Sequence, residues 1–135
     1  MNNQKKCTRV LLADDLPEML EQVRELLCDH CELIGSVTDG EQALSAALTL
    51  NPDILILDIS MPILNGFEVA RGVRESNCRA KIVFFTIHED SDYVDTAFSC
   101  GASAYVLKCR AGTDLLLAIE AALQDHTFIH RSKPM

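Results

Sequence analysis

Short unbroken apolar runs alternate along this chain with longer stretches in which apolar residues recur every three or four positions. The runs are Val10-Leu11-Leu12-Ala13, Leu33-Ile34-Gly35-Ser36-Val37, Ile54-Leu55-Ile56-Leu57, Ile82-Val83-Phe84-Phe85 and Tyr105-Val106-Leu107. Continuous runs of this length suit strands covered on both faces, whereas strict alternation would mark a sheet with one wet face. Between them, Met19, Leu20, Val23, Leu26 and Leu27 form the i, i+3, i+4, i+7 stripe of an amphipathic helix opening near Pro17. Further helices carry Ala43, Leu44, Ala46, Ala47 and Leu48, then Phe67, Val69, Ala70 and Val73. A fourth spans roughly 91–99, with Asp90 or Ser91 as its cap and Gly101 at its end. A last one starts near Thr113-Asp114 and runs through Leu115, Ile119, Ala122 and Leu123. Strand and helix signals thus alternate five times, which predicts an α/β domain with a parallel sheet wrapped by helices.

Punctuation supports the same order. Thr38-Asp39-Gly40 reads as a turn, Asn51-Pro52-Asp53 stops a helix, and Met61-Pro62 with Asn65-Gly66 marks a loop. The segment 126–135 reads as a solvated linker or frayed end.

A length of 135 residues is one domain's worth, and 48% hydrophobic with 24% charged residues is the composition of a globular chain. The net charge of −8 argues against electrostatic nucleic-acid binding by this body. No segment approaches the roughly 20 apolar residues of a membrane span. Residues 1–7 lead into an apolar run of four and carry no signal-peptide core, so the expected location is cytoplasmic. Six cysteines are present, two of them in Cys28-Asp29-His30-Cys31. That C-x-x-C falls at the end of a helix and has no second ligand pair, so free thiols are expected.

The candidate chemistry sits at the ends of the apolar runs. Asp14 and Asp15 come directly after the first, Asp58 after the third, Thr86 after the fourth and Lys108 after the fifth. In open α/β sheets ligands bind outside the carboxyl ends of the strands, so these groups should converge at one edge. Carboxylates about 4 Å apart repel by several kcal/mol per pair at an effective dielectric near 20, which calls for a cation between them. An all-oxygen ligand set favours Mg²⁺, completed by water and phosphate oxygens. An Asp carboxylate is also a nucleophile toward phosphorus, and an ammonium can stabilise charge on the transferring oxygens. The simpler alternative is that Asp14 or Asp15 only caps the next helix; that accounts for one acid, but not for both together with Asp58.

Taken together, Asp14-Asp15, Asp58 with Met61-Pro62 and Asn65-Gly66, Thr86 and Lys108 resemble the receiver domain of bacterial two-component response regulators over about residues 7–128. The resemblance implies a three-layer, doubly wound, flavodoxin-like fold: a five-stranded parallel sheet of order 2-1-3-4-5 with five helices. It makes 1–128 the receiver domain and 129–135 a tail or the start of a linker. It implies that Asp58 is the phosphoacceptor, and that Asp15, Asp58 and the Ser60 carbonyl ligate Mg²⁺ with Asp14 nearby or acting through water. Lys108 would pair with the phosphoryl group, and Thr86 and Tyr105 would form the switch, the ring turning inward as the hydroxyl moves to phosphate. The stretches 101–108, 115–119 and 127–129 resemble the LuxR or NarL-type branch, whose members carry a helix-turn-helix DNA-binding domain. No such domain is present here, so DNA would be a partner only through a missing effector domain. The implied partners are a sensor histidine kinase and, through the apolar 115–123 helix, another protein or a second copy of the chain.

Four residues, in three places, depart from the family pattern. Cys109 stands where many receivers have Pro after the lysine, which removes the reason to expect a cis peptide there. Asn65 stands where Asp is commoner. Ile87 and His88 come after Thr86 where a small residue often comes first, and are expected to narrow access and to alter the lifetime of an aspartyl phosphate. Two other functions use similar residues. A haloacid dehalogenase-type phosphatase wants a second Asp two residues after the nucleophile, and that position is Ser60. A receiver-like module working only by binding usually lacks one of the acids, the acceptor or the lysine, and this chain has them all.

Overall fold

The computed structural model describes residues 7–129; residues 1–6 and the tail 130–135 lie outside them, including most of the segment considered as a signal sequence. The elements are β1 (Thr8–Ala13), α1 (Pro17–Leu27), β2 (Cys31–Val37), α2 (Gly40–Leu50), β3 (Ile54–Leu57), α3 (Gly66–Glu75), β4 (Lys81–Thr86), α4 (Ser91–Ser99), β5 (Ala104–Leu107), α5 (Ala111–Leu123) and β6 (Phe128–Ile129). A 3₁₀ turn, Lys108–Arg110, joins β5 to α5. All strand pairings are parallel, in the order β2-β1-β3-β4-β5-β6.

Side-chain parity along the strands divides the core. Leu11, Ala13, Leu55, Leu57, Ile82 and Phe84 face one side, against Ala43, Ala47, Val69 and Val73 of α2 and α3 and Ala97 of α4. Val10, Leu12, Ile54, Ile56, Val83 and Phe85 face the other, against Val23 and Leu27 of α1 and Leu115, Ala118 and Ile119 of α5. Both faces are covered, which is why the interiors of β1, β3 and β4 are continuous apolar runs, with polar residues only at the strand ends. β2 lies at one edge, only partly buried, with an irregularity opposite Val10 and Leu11.

The order 2-1-3-4-5 and the five helices agree with expectation; the strand count does not. Phe128–Ile129 forms a sixth strand instead of a solvated tail. Its pairs are Ala104↔Phe128 and Tyr105↔Ile129, with the Phe128 amide donating to the Ser103 carbonyl at 3.1 Å. Phe128 packs on the α1/α5 core and Ile129 on the opposite one, so two residues close both faces at the β5 edge. The sheet therefore runs one residue past the boundary drawn at 128. The last helix also begins earlier, at Ala111 rather than near Thr113.

Loops at the carboxyl edge are held by close backbone contact. Asn65, read as a turn residue, is the N-cap of α3: its side chain accepts from the Glu68 amide at 2.9 Å, and Glu68 accepts from the Asn65 amide at 2.9 Å. Gly66 then donates to the Ile59 carbonyl at 2.8 Å. A β-carbon at Gly66 would lie 2.3 Å from the Asp58 carbonyl oxygen and 2.9 Å from Ile59 Cα. Those are backbone atoms that cannot yield, so Gly66→Ala is expected to lose about 1–3 kcal/mol in urea unfolding. Gly112→Ala in α5, whose β-carbon would meet nothing within 4 Å, is expected to be neutral or to gain up to about 1 kcal/mol.

Candidate functional site at the carboxyl edge of the sheet

β1 and β3 are adjacent and in register, with Ala13 opposite Leu57, so the next residues, Asp14 and Asp58, emerge side by side. The Asp58 amide donates to the Ala13 carbonyl at 3.0 Å, which locks this juxtaposition. On the far side, Thr86 pairs with Leu107, and Lys108 comes immediately after. Asp14, Asp58, Thr86 and Lys108 are all buried, at 0%, 5%, 0% and 9% exposure. Asp15 is exposed. Asp14, Asp15, Asp58 and Lys108 come together, and Thr86 ends the strand between those that lead to Asp58 and Lys108.

Asp14, Asp15 and Asp58 each place a carboxylate oxygen within 4.8 Å of the others. Lys108 Nζ lies 2.8 Å from Asp14 Oδ2 and 3.2 Å from Asp58 Oδ2. Burial opposes the ammonium, but its close approach to Asp14 and the charges of Asp58 and Asp14 outweigh it and hold its pKa above the ordinary value. Asp58 responds the other way. Burial, then the charge on Asp14, pushes its carboxyl above its ordinary value, against the pull of Lys108 and of the Ile59 amide. One ammonium against three carboxylates leaves two negative charges unbalanced.

Asp14 does more than open a helix. α1 is capped by Leu16 without a side-chain hydrogen bond. Asp14 Oδ1 accepts from the Leu16 amide at 3.0 Å, and Oδ2 faces Lys108. The lysine's approach to Oδ2 is close but poorly directed, and this buried oxygen has no well-aligned donor among the described residues. An under-satisfied buried carboxylate oxygen in an excess of negative charge fits a hard cation well.

Thr86, Tyr105 and Ser60 meet at His88. Thr86 Oγ1 accepts from the His88 amide at 3.2 Å, and the Tyr105 hydroxyl donates to the His88 carbonyl at 2.8 Å. The His88 ring stacks on Tyr93 at 4.3 Å, with Nε2 3.1 Å from Ser60 Oγ. Tyr105 is inward, 3% exposed, and burial pushes its phenol up. Sequence reasoning paired Thr86 with Tyr105 but did not see that one backbone joins them; a loop contact of this kind has no periodic signal. Ile87, in the same loop, stands 71% exposed. Ile63 is 67% exposed with φ of 75°, a left-handed conformation costly for a β-branched residue. The Lys108–Cys109 peptide is trans, there being no cis bond among the described residues. Cys28 ends α1 and Cys31 begins β2, both as free thiols; burial, then the neighbouring Cys7, pushes the Cys31 thiol up.

A doubly wound parallel sheet with an acidic, lysine-bearing pocket at its carboxyl edge defines an α/β domain of the flavodoxin-like class. The chain belongs to the response regulator receiver domain family, which it matches over residues 10–120. It is 36% identical over 124 residues to the nitrate/nitrite response regulator protein NarL of Escherichia coli, covering 90% of this chain and 57% of that protein. It is 31% identical to the transcriptional regulatory protein DegU of Brevibacillus brevis, covering 90% and 52%. The chain thus spans a little over half the length of these relatives. Against protein CcdB of Bacillus subtilis, at 32% identity, 86% of this chain covers 98% of the relative. Among solved structures, a LuxR-family two-component response regulator from Aurantimonas superposes with a TM-score of 0.86 at 31% identity, over 91% of this chain and 89% of that one. The signal receiver domain of a NarL response regulator from Mycobacterium tuberculosis gives 0.85 at 27%, over 89% and 98%. No helix among the described residues is long and apolar enough to cross a membrane.

The Asp58 shift has a thermodynamic consequence. A carboxyl whose folded-state pKa is raised binds its proton more tightly when folded, so its ionised form costs stability at neutral pH. That cost fades as pH falls through the raised value. In metal-free buffer, Asp58→Asn is expected to gain on the order of 1 kcal/mol, a Tm rise of a few degrees, at neutral pH. The gap to wild type should close as pH falls toward the ordinary value of 3.8. Thermal melts across that range measure it.

Proposed function

We propose that this domain accepts a phosphoryl group on Asp58 from a sensor histidine kinase and converts it into a change of its α4–β5–α5 face. The observation that carries this is the setting of Asp58: 5% exposed, 3.2 Å from the Lys108 ammonium and crowded by two further acids. Asp15, Asp58 and the Ser60 carbonyl would hold Mg²⁺, with Asp14 alongside. When bound, Mg²⁺ supplies positive charge to the equatorial oxygens of the transferring group.

An Asp58 carboxylate oxygen attacks phosphorus as the bond to the donor's imidazole nitrogen breaks, and that nitrogen keeps the electron pair. Lys108 leaves the Asp58 carboxylate and takes a phosphoryl oxygen as its counter-charge. The Thr86 hydroxyl, which now accepts from His88, turns to donate to another phosphoryl oxygen. Because Tyr105 is bonded to the same His88, movement of the β4–α4 loop reaches the β5 surface. Moving a switch from 1:99 to 99:1 needs about 5.5 kcal/mol. One hydrogen bond to a charged acceptor supplies about 1.5–3 kcal/mol, so Thr86 and Lys108 must act together. The donor must come close to a nearly buried carboxylate, and exposed Leu16, Ile63 and Ile87 stand on the three loops it would cover. A cytoplasmic setting goes with that donor. Relatives named as transcriptional regulators suggest transcription as the output; DNA contact would then belong to a helix-turn-helix domain outside the sheet that ends at Ile129.

Intact mass after incubation with a small acyl phosphate tests this. One phosphoryl group gained with Mg²⁺, and none in Asp58→Asn or without Mg²⁺, is the expected result. Lys108→Ala should slow the gain by about 10²-fold. No gain, with no binding of beryllofluoride, would overturn the reading in favour of a phosphate-independent interaction module.

A further inference from the structure

We infer that Asp114 and Arg110 form a clamp that positions Lys108. The inference rests on the proposed role of that lysine and adds two residues that none of the pocket's motifs include. Asp114 lies in the first turn of α5 and is only 4% exposed, outside the acidic pocket. A buried carboxylate is costly unless both oxygens are matched, and here both are. Oδ2 accepts from Arg110 Nε at 3.0 Å and Oδ1 from the Thr113 hydroxyl at 3.0 Å, which also lies 3.3 Å from the Arg110 carbonyl. Arg110 is the last residue of the 3₁₀ turn that Lys108 begins. The Lys108 carbonyl accepts from the amide of Ala111, the first residue of α5. Both ends of the three-residue turn are therefore tied to the head of α5, which is seated in the core by Ala111 and Leu115.

The middle of the turn provides no such hold. Cys109 is exposed, and lacks the ring by which a proline would fix its own φ. A rotation of this turn would shift the root of the lysine stem and with it the reach of Nζ to Asp14 and Asp58, where it sits at 2.8 and 3.2 Å. The ion pair between Arg110 and Asp114 resists that rotation. Asp114 acts through Lys108 and touches no reacting atom; it is a positioning residue.

A double-mutant cycle on the full chain separates this from a purely structural cap on α5. Beryllofluoride affinity in Mg²⁺ would be measured by calorimetry for wild type, Asp114→Asn, Lys108→Ala and the double variant. Asp114→Asn is expected to weaken beryllofluoride by about tenfold, as loss of an orienting partner commonly does, with Mg²⁺ affinity alone unchanged. In the Lys108→Ala background it should cost nothing further. Arg110→Gln, on a half-exposed side chain, should reproduce the effect and covers the case in which Asp114→Asn does not fold. A second readout needs no phosphoryl analogue: proton exchange at the Lys108 ammonium, by ¹⁵N-lysine NMR, should quicken in both variants. Equal losses in both backgrounds, or an unaltered Lys108 signal, would overturn the clamp. If wild type binds no beryllofluoride, phosphate reception fails instead, and the lysine signal alone decides the clamp.

Discussion

The structure at the carboxyl edge depends on one ammonium. Lys108 sits between Asp14 and Asp58 where β1 and β3 force two carboxylates to emerge as neighbours, and without it the ends of the two central strands would repel. The ammonium relieves the repulsion only in part. Asp58 remains raised above its ordinary pKa by burial and by Asp14, and a buried oxygen of Asp14 lacks a well-aligned donor. A pocket left short of positive charge in this way is poised for a divalent cation, and then for a group that brings oxygens of its own.

The fold tolerates that poise because it is rigid elsewhere. β1, β3 and β4 are packed on both faces, and their register fixes where each succeeding residue appears. The loops beyond are pinned by the Asn65–Glu68 capping box and by the close approach of Gly66 to the Asp58 carbonyl, with Ile63 left-handed in the same loop. Strain and unbalanced charge thus lie within a few residues of Asp58, over a sheet whose central strands carry polar residues only at their ends.

Most of this was legible in the sequence because it depends on position along strands. A residue directly after a buried parallel strand has its edge and its neighbours decided by topology, so Asp14, Asp58, Thr86 and Lys108 could be gathered from their runs alone. What escaped has no such rule behind it. β6 is two residues long, too short for any periodicity, and is defined only by its pairing with Ala104 and Tyr105. Asp114 looks in sequence like an ordinary acid in a helix's first turn; its burial depends on Arg110 folding back from a 3₁₀ turn. His88 is a loop residue whose importance lies in its backbone, which no side-chain pattern can register.

A switch at this site would work through that backbone. The Thr86 hydroxyl holds the His88 amide while the Tyr105 hydroxyl holds its carbonyl, so one peptide segment carries a bond from the pocket and another from the β5 surface. The ring of the same residue is wedged between Ser60, two residues beyond Asp58, and Tyr93 in α4. A threonine hydroxyl can donate and accept at once, so it is the swing of the Thr86 side chain toward a phosphoryl oxygen, carrying Oγ1 with it, that would pull on the His88 amide and make the loop adjust. The adjustment is transmitted through two hydrogen bonds and a stack, each modest, which suits a switch that must be reversed when the phosphoryl group leaves. Coupling through one shared residue limits what this route can carry, so Lys108, directly after β5, would have to supply the rest.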